Sequence, residues 1–114
     1  MINSVIKAVK ILNIVSDNRS EPVSLGEICQ KANINKATCS HIVSTLLSEN
    51  YLKRISQTEG YILGPAVHCL SRFGKYEDEL VDLCHPILKW LNKKTDLSVV
   101  LSVIEGGKKF IIDY

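Results

Sequence analysis

Between Ser24 and Arg54 the chain repeats one pattern twice in quick succession, and few folds accommodate both copies. Leu25, Ile28, Cys29 and Ala32 fall at i, i+3, i+4 and i+7, which places all four on one face of a helix. Ser24 precedes them, and Glu27 follows it by three residues, the capping-box spacing that satisfies orphan N–H groups at a helix start. After Asn33, Ile34 and Asn35 the same stripe returns in Cys39, Ile42, Val43 and Leu46, widened by Leu47. Asn35 can accept a bond from an N–H two or three residues on. The spacing therefore predicts one helix from Ser24 and a second from about Lys36 to Glu49. A ribbon follows, with Tyr51–Ile55 as its first strand and Tyr61–Leu63 as its second, turned at Glu59–Gly60.

Two amphipathic helices, a three-residue turn and a two-stranded ribbon make a winged helix-turn-helix. Opposite the apolar stripe, the second helix carries Ala37, His41, Ser44 and Ser48, flanked by Ser40 and Thr45, with Lys36 and Thr38 in its first turn. These side chains are small, end in hydrogen-bonding groups, and include no acid before Glu49. Such a face can approach the floor of the DNA major groove, where a bulky or acidic one could not. Lys36, Ala37, Thr38, Ser40, His41 and Ser44 are the candidate groove residues. Ser24, at a helix N-terminus, and Lys53 and Arg54, at the base of the ribbon, are the candidates for phosphate. The plainer readings are a wet helix surface, or a winged-helix protein-protein or dimerisation module that binds no DNA.

The charge balance favours that second class more than it favours tight DNA binding. Net charge is only +2. Lys and Arg exceed Asp and Glu by 7 to 5 in residues 1–63 and match them at 7 to 7 in residues 64–114, so the whole surplus lies in the winged-helix part. Strong affinity would then need two such units acting together. The four cysteines show no C-x-x-C spacing and are not grouped with the three histidines as metal ligands would be, so reduced structural thiols, no metal and no cofactor are expected. No apolar run approaches the ~20 residues of a membrane span, and no signal pattern opens the chain, which predicts a cytoplasmic protein with no membrane partner. Neither a Gly-rich cofactor loop nor an arranged nucleophile and base is present, so an enzyme is not expected.

Upstream, residues 4–16 read as a helix capped by Ser4, with Val5, Ala8, Val9, Leu12 and Val15 facing the core. Ile6 and Ile14, with the stem of Lys10, would form a small exposed apolar strip of the kind that marks a partner surface. Residues 17–22 are polar and turn-forming. Downstream, Gly64-Pro65 opens an apolar helix that Gly74 stops, and His68 sits on its surface. Residues 77–94 form a longer amphipathic helix with Leu80, Leu83, Cys84, Ile87, Leu88 and Leu91 on one side, Trp90 used for packing, and a kink at Pro86. Leu97–Ile104 and Lys109–Tyr114 read as two strands joined by Glu105–Lys108.

The ordered motifs resemble those of the IclR-type bacterial transcriptional regulators. Ser4 through Leu12 is similar to their S-V-x-K-A-x-x-I-L opening, Leu25-x-Glu27-Ile28 to L-x-E-I-A, and Lys36-Ala37-Thr38 with Leu46 to the K-S-T-x-x-R-L-L-x-T-L recognition helix. Tyr61-x-Leu63-Gly64 resembles the Y-x-L-G wing end. Pro86-x-Leu88, Thr95, Glu105-Gly106-Gly107 and Ile112-Asp113 are similar to the start of the effector-binding domain. His41 stands where the family usually has Arg, and it cannot make the bidentate contact of Arg to guanine. Asp96 stands where the family commonly has Gly.

The resemblance implies a mainly α fold with small β. Residues 1–64 would be a winged helix-turn-helix, 65–76 a linker helix that helps pair protomers, and 77–114 the beginning of an α+β effector-binding domain, one helix plus a β-hairpin. The function implied is that of a sequence-specific regulator on double-stranded DNA, a homodimer or higher homo-oligomer on a near-palindromic operator. A small-molecule effector enters only if the rest of the C-terminal domain exists.

Overall fold

The computed structural model describes residues 1–18, 21–72 and 76–114. It divides into two compact units, Met1–Gly74 and Lys75–Tyr114. The first contains α1 (Asn3–Asp17), α2 (Leu25–Ala32), α3 (Lys36–Ser48), β1 (Leu52–Ser56), β2 (Gly60–Leu63) and α4 (Pro65–Arg72). The second contains α5 (Asp78–Thr95), β3 (Leu101–Glu105) and β4 (Lys108–Asp113).

Both helices of the central pair start where their caps dictate. The Ser24 hydroxyl accepts the Glu27 N–H at 3.2 Å, and the Asn35 side chain accepts the Thr38 N–H at 2.9 Å. Glu27 does not complete the capping box, because its carboxylate pairs with Lys31 at 3.1 Å. A left-handed asparagine turns the chain out of each helix, Asn33 at φ 55° as the cap of α2 and Asn50 at φ 64° one residue past the Glu49 cap of α3. The next N–H in each case reaches back a full turn and more, Ile34 to the Cys29 carbonyl at 3.2 Å and Tyr51 to the Leu46 carbonyl at 2.9 Å. The turn between α2 and α3 is thus fixed by backbone bonds, with Ile34 folded inward as its anchor.

Ile11, Val15, Val23, Ile28, Ala32, Ile34, Cys39, Val43, Leu52 and Tyr61 form one continuous core beneath this pair. The buried face of α1 differs from the one its spacing predicts. Ile11, at 0% exposure, is the centre of its buried face, whereas Val5 and Val9 are 55% and 51% exposed. Leu12 and Ile14 pack against the core, so Ile14 is not part of an outer strip. The apolar arc of α1 is wider than the surface it buries, and packing against α2 and α3 selects which edge of it is covered. Ser4 is not the cap; Ile2 occupies that position and makes no side-chain cap bond. Lys10 turns inward at its tip and donates to the Ala32 carbonyl at 3.3 Å, closing the C-terminus of α2. Lys10→Met keeps the stem and deletes that donor, and it should cost about 1 kcal/mol in urea unfolding.

The ribbon pairs Leu52 with Leu63, Lys53 with Ile62 and Arg54 with Tyr61, then shifts register at Ile55 so that Ser56 faces Gly60. A feature absent from the sequence reading is a third, one-residue strand. Val23 and Tyr61 exchange both backbone bonds at 2.9 Å, tying the segment before α2 to the ribbon. Gly60 makes this approach possible. It has φ +106°, and a Cβ on it would lie 2.3 Å from the Val23 carbonyl oxygen.

α4 has no fully buried residue: Ala66 and Val67 are half-buried, Cys69, Leu70 and, as expected, His68 are exposed. The expected stop at Gly74 lies outside the described residues. α5 runs unbroken through Pro86. Leu88 is its buried residue, with Leu80, Cys84 and Leu91 half-buried. Leu83, Ile87 and Trp90 are exposed, so the predicted packing role of Trp90, 58% exposed with Lys94 5.9 Å above its ring, is corrected. His85 Nδ1 meets the Asp113 carboxylate at 2.6 Å, tying α5 to β4 and holding that carboxyl below its usual range. The β3–β4 hairpin turns at Gly106 and Gly107, both at positive φ. β3 starts at Leu101 rather than Leu97, because the Asn92 side chain donates to the Leu97 carbonyl and holds that residue to the end of α5.

Asp96 ends α5 in the left-handed region, φ 56°, where a side chain is strained. Asp96→Gly should therefore stabilise the chain by about 0.5–1 kcal/mol, read as a higher urea midpoint.

Candidate nucleic-acid interface

The stripe of α3 that holds the helix down is Cys39 and Val43, fully buried, with Ile42, Leu46 and Leu47 packed beside them. Everything on the opposite side stands in solvent. Lys36, Ala37, Ser40, His41, Ser44, Thr45 and Ser48 are all exposed, and Thr38 is half-buried in the first turn. The helix thus presents a surface of one lysine, one imidazole, one methyl and several hydroxyls, with no acid until Glu49.

Hydrogen bonding divides this face in two. The Thr45 hydroxyl donates to the His41 carbonyl at 3.1 Å, and the Ser48 hydroxyl donates to the Thr45 carbonyl at 2.7 Å. Both hydroxyls are committed to the helix's own backbone, as Ser and Thr commonly are in helix interiors. Among the described residues, the side chains of Lys36, Ser40, His41 and Ser44 make no hydrogen bond or ion pair. These four form a patch running from the first residue of α3 to Ser44, whose donors and acceptors are open to an incoming ligand. Ala37 lies among them and keeps the surface low.

The other candidates flank this patch. Ser24 is exposed, and its oxygen is occupied by the Glu27 N–H while its own proton stays available to donate. β1 packs against α3 through the common core, with Leu52 buried and Lys53 and Arg54 exposed. Strand alternation separates the two basic residues, which point to opposite faces of the ribbon. Arg54 lies 5.9 Å over the ring of the buried Tyr61, so that ring holds its guanidinium in place, whereas Lys53 is free of such a contact among the described residues. The sequence offers both as phosphate candidates at the base of the ribbon, and the period of two already implies that they diverge.

The profile of the IclR helix-turn-helix domain matches residues 4–56, which span α1, α2, α3 and β1. The chain carries an IclR helix-turn-helix domain. The HTH-type transcriptional regulator TtgV of Pseudomonas putida is 28% identical over 91 residues, covering 80% of this chain and 34% of that protein. The IclR transcriptional regulator of Alicyclobacillus acidocaldarius superposes with a TM-score of 0.73 at 23% identity, covering 98% of this chain and 45% of that one. An IclR homolog from Microbacterium hydrocarbonoxydans, solved in complex with 4-hydroxybenzoate, gives 0.70 at 17% identity over 95% of this chain and 44% of that one. The fold likeness therefore extends past the IclR domain through α5 and the second hairpin. The chain spans about a third of the curated relative and less than half of these solved structures. No helix among the described residues is long and apolar enough to cross a membrane.

Proposed function

We propose that the IclR domain binds double-stranded DNA as the operator-reading part of a cytoplasmic transcriptional regulator, and that it does so in pairs. The observation that carries this reading is the unpartnered patch of Lys36, Ser40, His41 and Ser44 on the outer face of α3, opposite the buried Cys39 and Val43. In this reading α3 lies in the major groove, where the hydroxyls and the imidazole meet base edges and Ala37 and Thr38 allow close approach. Ser24, Lys53 and Arg54 hold phosphates on either side.

Pairing is supported by the outer face of α1, where Ile2, Val5, Ile6 and Val9 are all exposed. One turn apart on the same side, they form a contiguous apolar strip on a domain with little charge surplus of its own. Covering it with a second copy would place two α3 helices on a near-palindromic site, with half-sites about 34 Å or a multiple of it apart. Binding of an effector would belong mainly to the part of the relatives that this chain does not span.

A gel shift against genomic fragments, with competitor DNA and varied salt, tests the reading. The expected result is a preferred fragment whose affinity falls steeply with salt. Retention of all fragments alike would remove sequence-specific reading, and a flat salt response would remove phosphate contact. The same strip on α1 would also serve a protein-protein module with no DNA role, and that reading predicts a dimer in sedimentation whose mass is unchanged by any duplex.

A further inference from the structure

Glu79, Leu83, Ile87, Trp90 and Lys94 follow one another along α5 at spacings of three or four residues, so they line one side of the helix. Pro86 lies beside that line. It is a different side from the one that packs inward through Leu80, Cys84, Leu88 and Leu91. All of these stripe residues are exposed, Leu83 at 71%, Ile87 at 55% and Trp90 at 58%. Single apolar side chains scattered over a surface are ordinary, but three large ones in one line make a contact surface.

The two ends of the line carry opposite charge. Glu79 stands at the N-terminal end with Asp82 on its flank, and Lys94 stands at the C-terminal end with Lys93 on the same flank. Among the described residues Glu79, Asp82 and Lys93 form no ion pair, and the Lys94 ammonium lies 5.9 Å over the Trp90 ring. A helix standing alone also favours acids in its first turn and bases in its last, but it gains nothing from large apolar side chains held in water between them. A face that is acidic at one end, basic at the other and apolar in the middle is complementary to itself when reversed.

We propose that this face of α5 pairs with the same face of a second copy of the chain, the two helices running antiparallel. A two-fold axis between Pro86 and Ile87 sets Leu83 against the partner's Trp90, and Ile87 beside the partner's Ile87. It also sets Glu79 against the partner's Lys94 at both ends, while Asp82 meets the partner's Lys93 along the flank. Parallel pairing would oppose Glu79 to the partner's Glu79 and Lys94 to the partner's Lys94, so charge selects the antiparallel arrangement. The surface is separate from the strip on α1, which belongs to the other unit, and it requires no DNA. A single helix pair lies at the small end of stable interfaces, below about 1,200 Å², which fits a dissociation constant on the order of micromolar.

Trp90 is the only tryptophan of the chain, so its emission reports on this face. The test follows the whole 114-residue chain by fluorescence and by sedimentation, across concentrations about a hundredfold either side of micromolar. The expected result is a blue shift of Trp90 emission over the same concentrations at which the sedimenting mass rises. A mass that rises while the emission stays fixed places the contact elsewhere, on α1 for example, and overturns the proposal; so does a chain that shows neither change. Ile87→Lys brings two ammonium groups together at the axis and should abolish the shift, with the circular dichroism unchanged because Ile87 is exposed. Glu79→Lys should weaken association by about tenfold. Adding Lys94→Glu to it should recover most of that loss, since the reversed face is again complementary to itself. If these charges served only the helix dipole, the double variant would be the weakest of all. A double variant no tighter than Glu79→Lys, or a shift that survives Ile87→Lys, overturns the antiparallel pairing. A shift that the dilute chain shows only on addition of lipid vesicles assigns the face to a membrane surface and overturns self-pairing.

Discussion

Replacing Gly60 with alanine should destabilise the IclR domain by about 3 kcal/mol, seen as a lower urea midpoint with an unchanged slope. Two effects add at this position. The backbone sits at φ +106°, which costs an L side chain on the order of 1–2 kcal/mol. The new Cβ would also fall 2.3 Å from the carbonyl oxygen of Val23 and 2.8 Å from the Ser24 nitrogen, and these are backbone atoms that cannot rotate away. Relief requires the Val23–Tyr61 bridge to open, exposing the backbone groups that both residues now satisfy with each other. Gly26 is the internal control. It lies in the first turn of α2 with nothing within 4 Å of an added Cβ, so Gly26→Ala should be neutral or stabilising by up to about 1 kcal/mol. If both substitutions cost the same, close approach is not what holds Gly60.

Lys36→Glu should weaken DNA binding by about 100-fold or more while leaving the domain as stable as before or slightly more so. The two halves of that expectation come from one location. Lys36 is the first residue of α3, exposed and without a partner among the described residues, so no native contact is lost on replacing it. A carboxylate in the first turn of a helix is favoured by the helix dipole at about 0.3–1 kcal/mol, so the folded state gains. On the reading proposed above, the same carboxylate would be repelled by the phosphate charge of a duplex where the ammonium is attracted. The measurement pairs a urea titration with a gel shift across a salt series. Lost binding accompanied by lost stability would trace the effect to unfolding, and retained binding would move α3 out of the groove. His41→Ala provides the contrast: it should reduce affinity for the preferred fragment by a factor on the order of 10, with little change on competitor DNA, because only base reading is removed.

The helix pair was legible because local chemistry and the apolar period agree there. Ser24 and Asn35 cap where their types suggest, and each stripe has one rotation that buries it. α1 was misread for the opposite reason. Its apolar arc is wide: Leu12 and Val15 face the core as their spacing implies, but the buried edge of the arc runs through Ile11 rather than Val5 and Val9, and that choice is made by α2 and α3. Val23 carried no signal at all, since a single paired residue has no alternation to detect. The polar face of α3 was visible as a composition, but which hydroxyls remain free was not. Thr45 and Ser48 are consumed by backbone carbonyls one turn back, a matter of rotamer rather than of residue type.

The exchange of backbone bonds between Val23 and Tyr61 makes a braced bracket of the ribbon and the segment before α2. The segment leading into α2 and the start of the ribbon's second strand are joined as one piece, anchored in the interior by Val23 itself. A protein gripping a rod with such a bracket has a fixed gauge. It would accept rods of the right girth and reject others, so duplexes with identical letters under α3 but narrower or wider flanking grooves would be held with different strength.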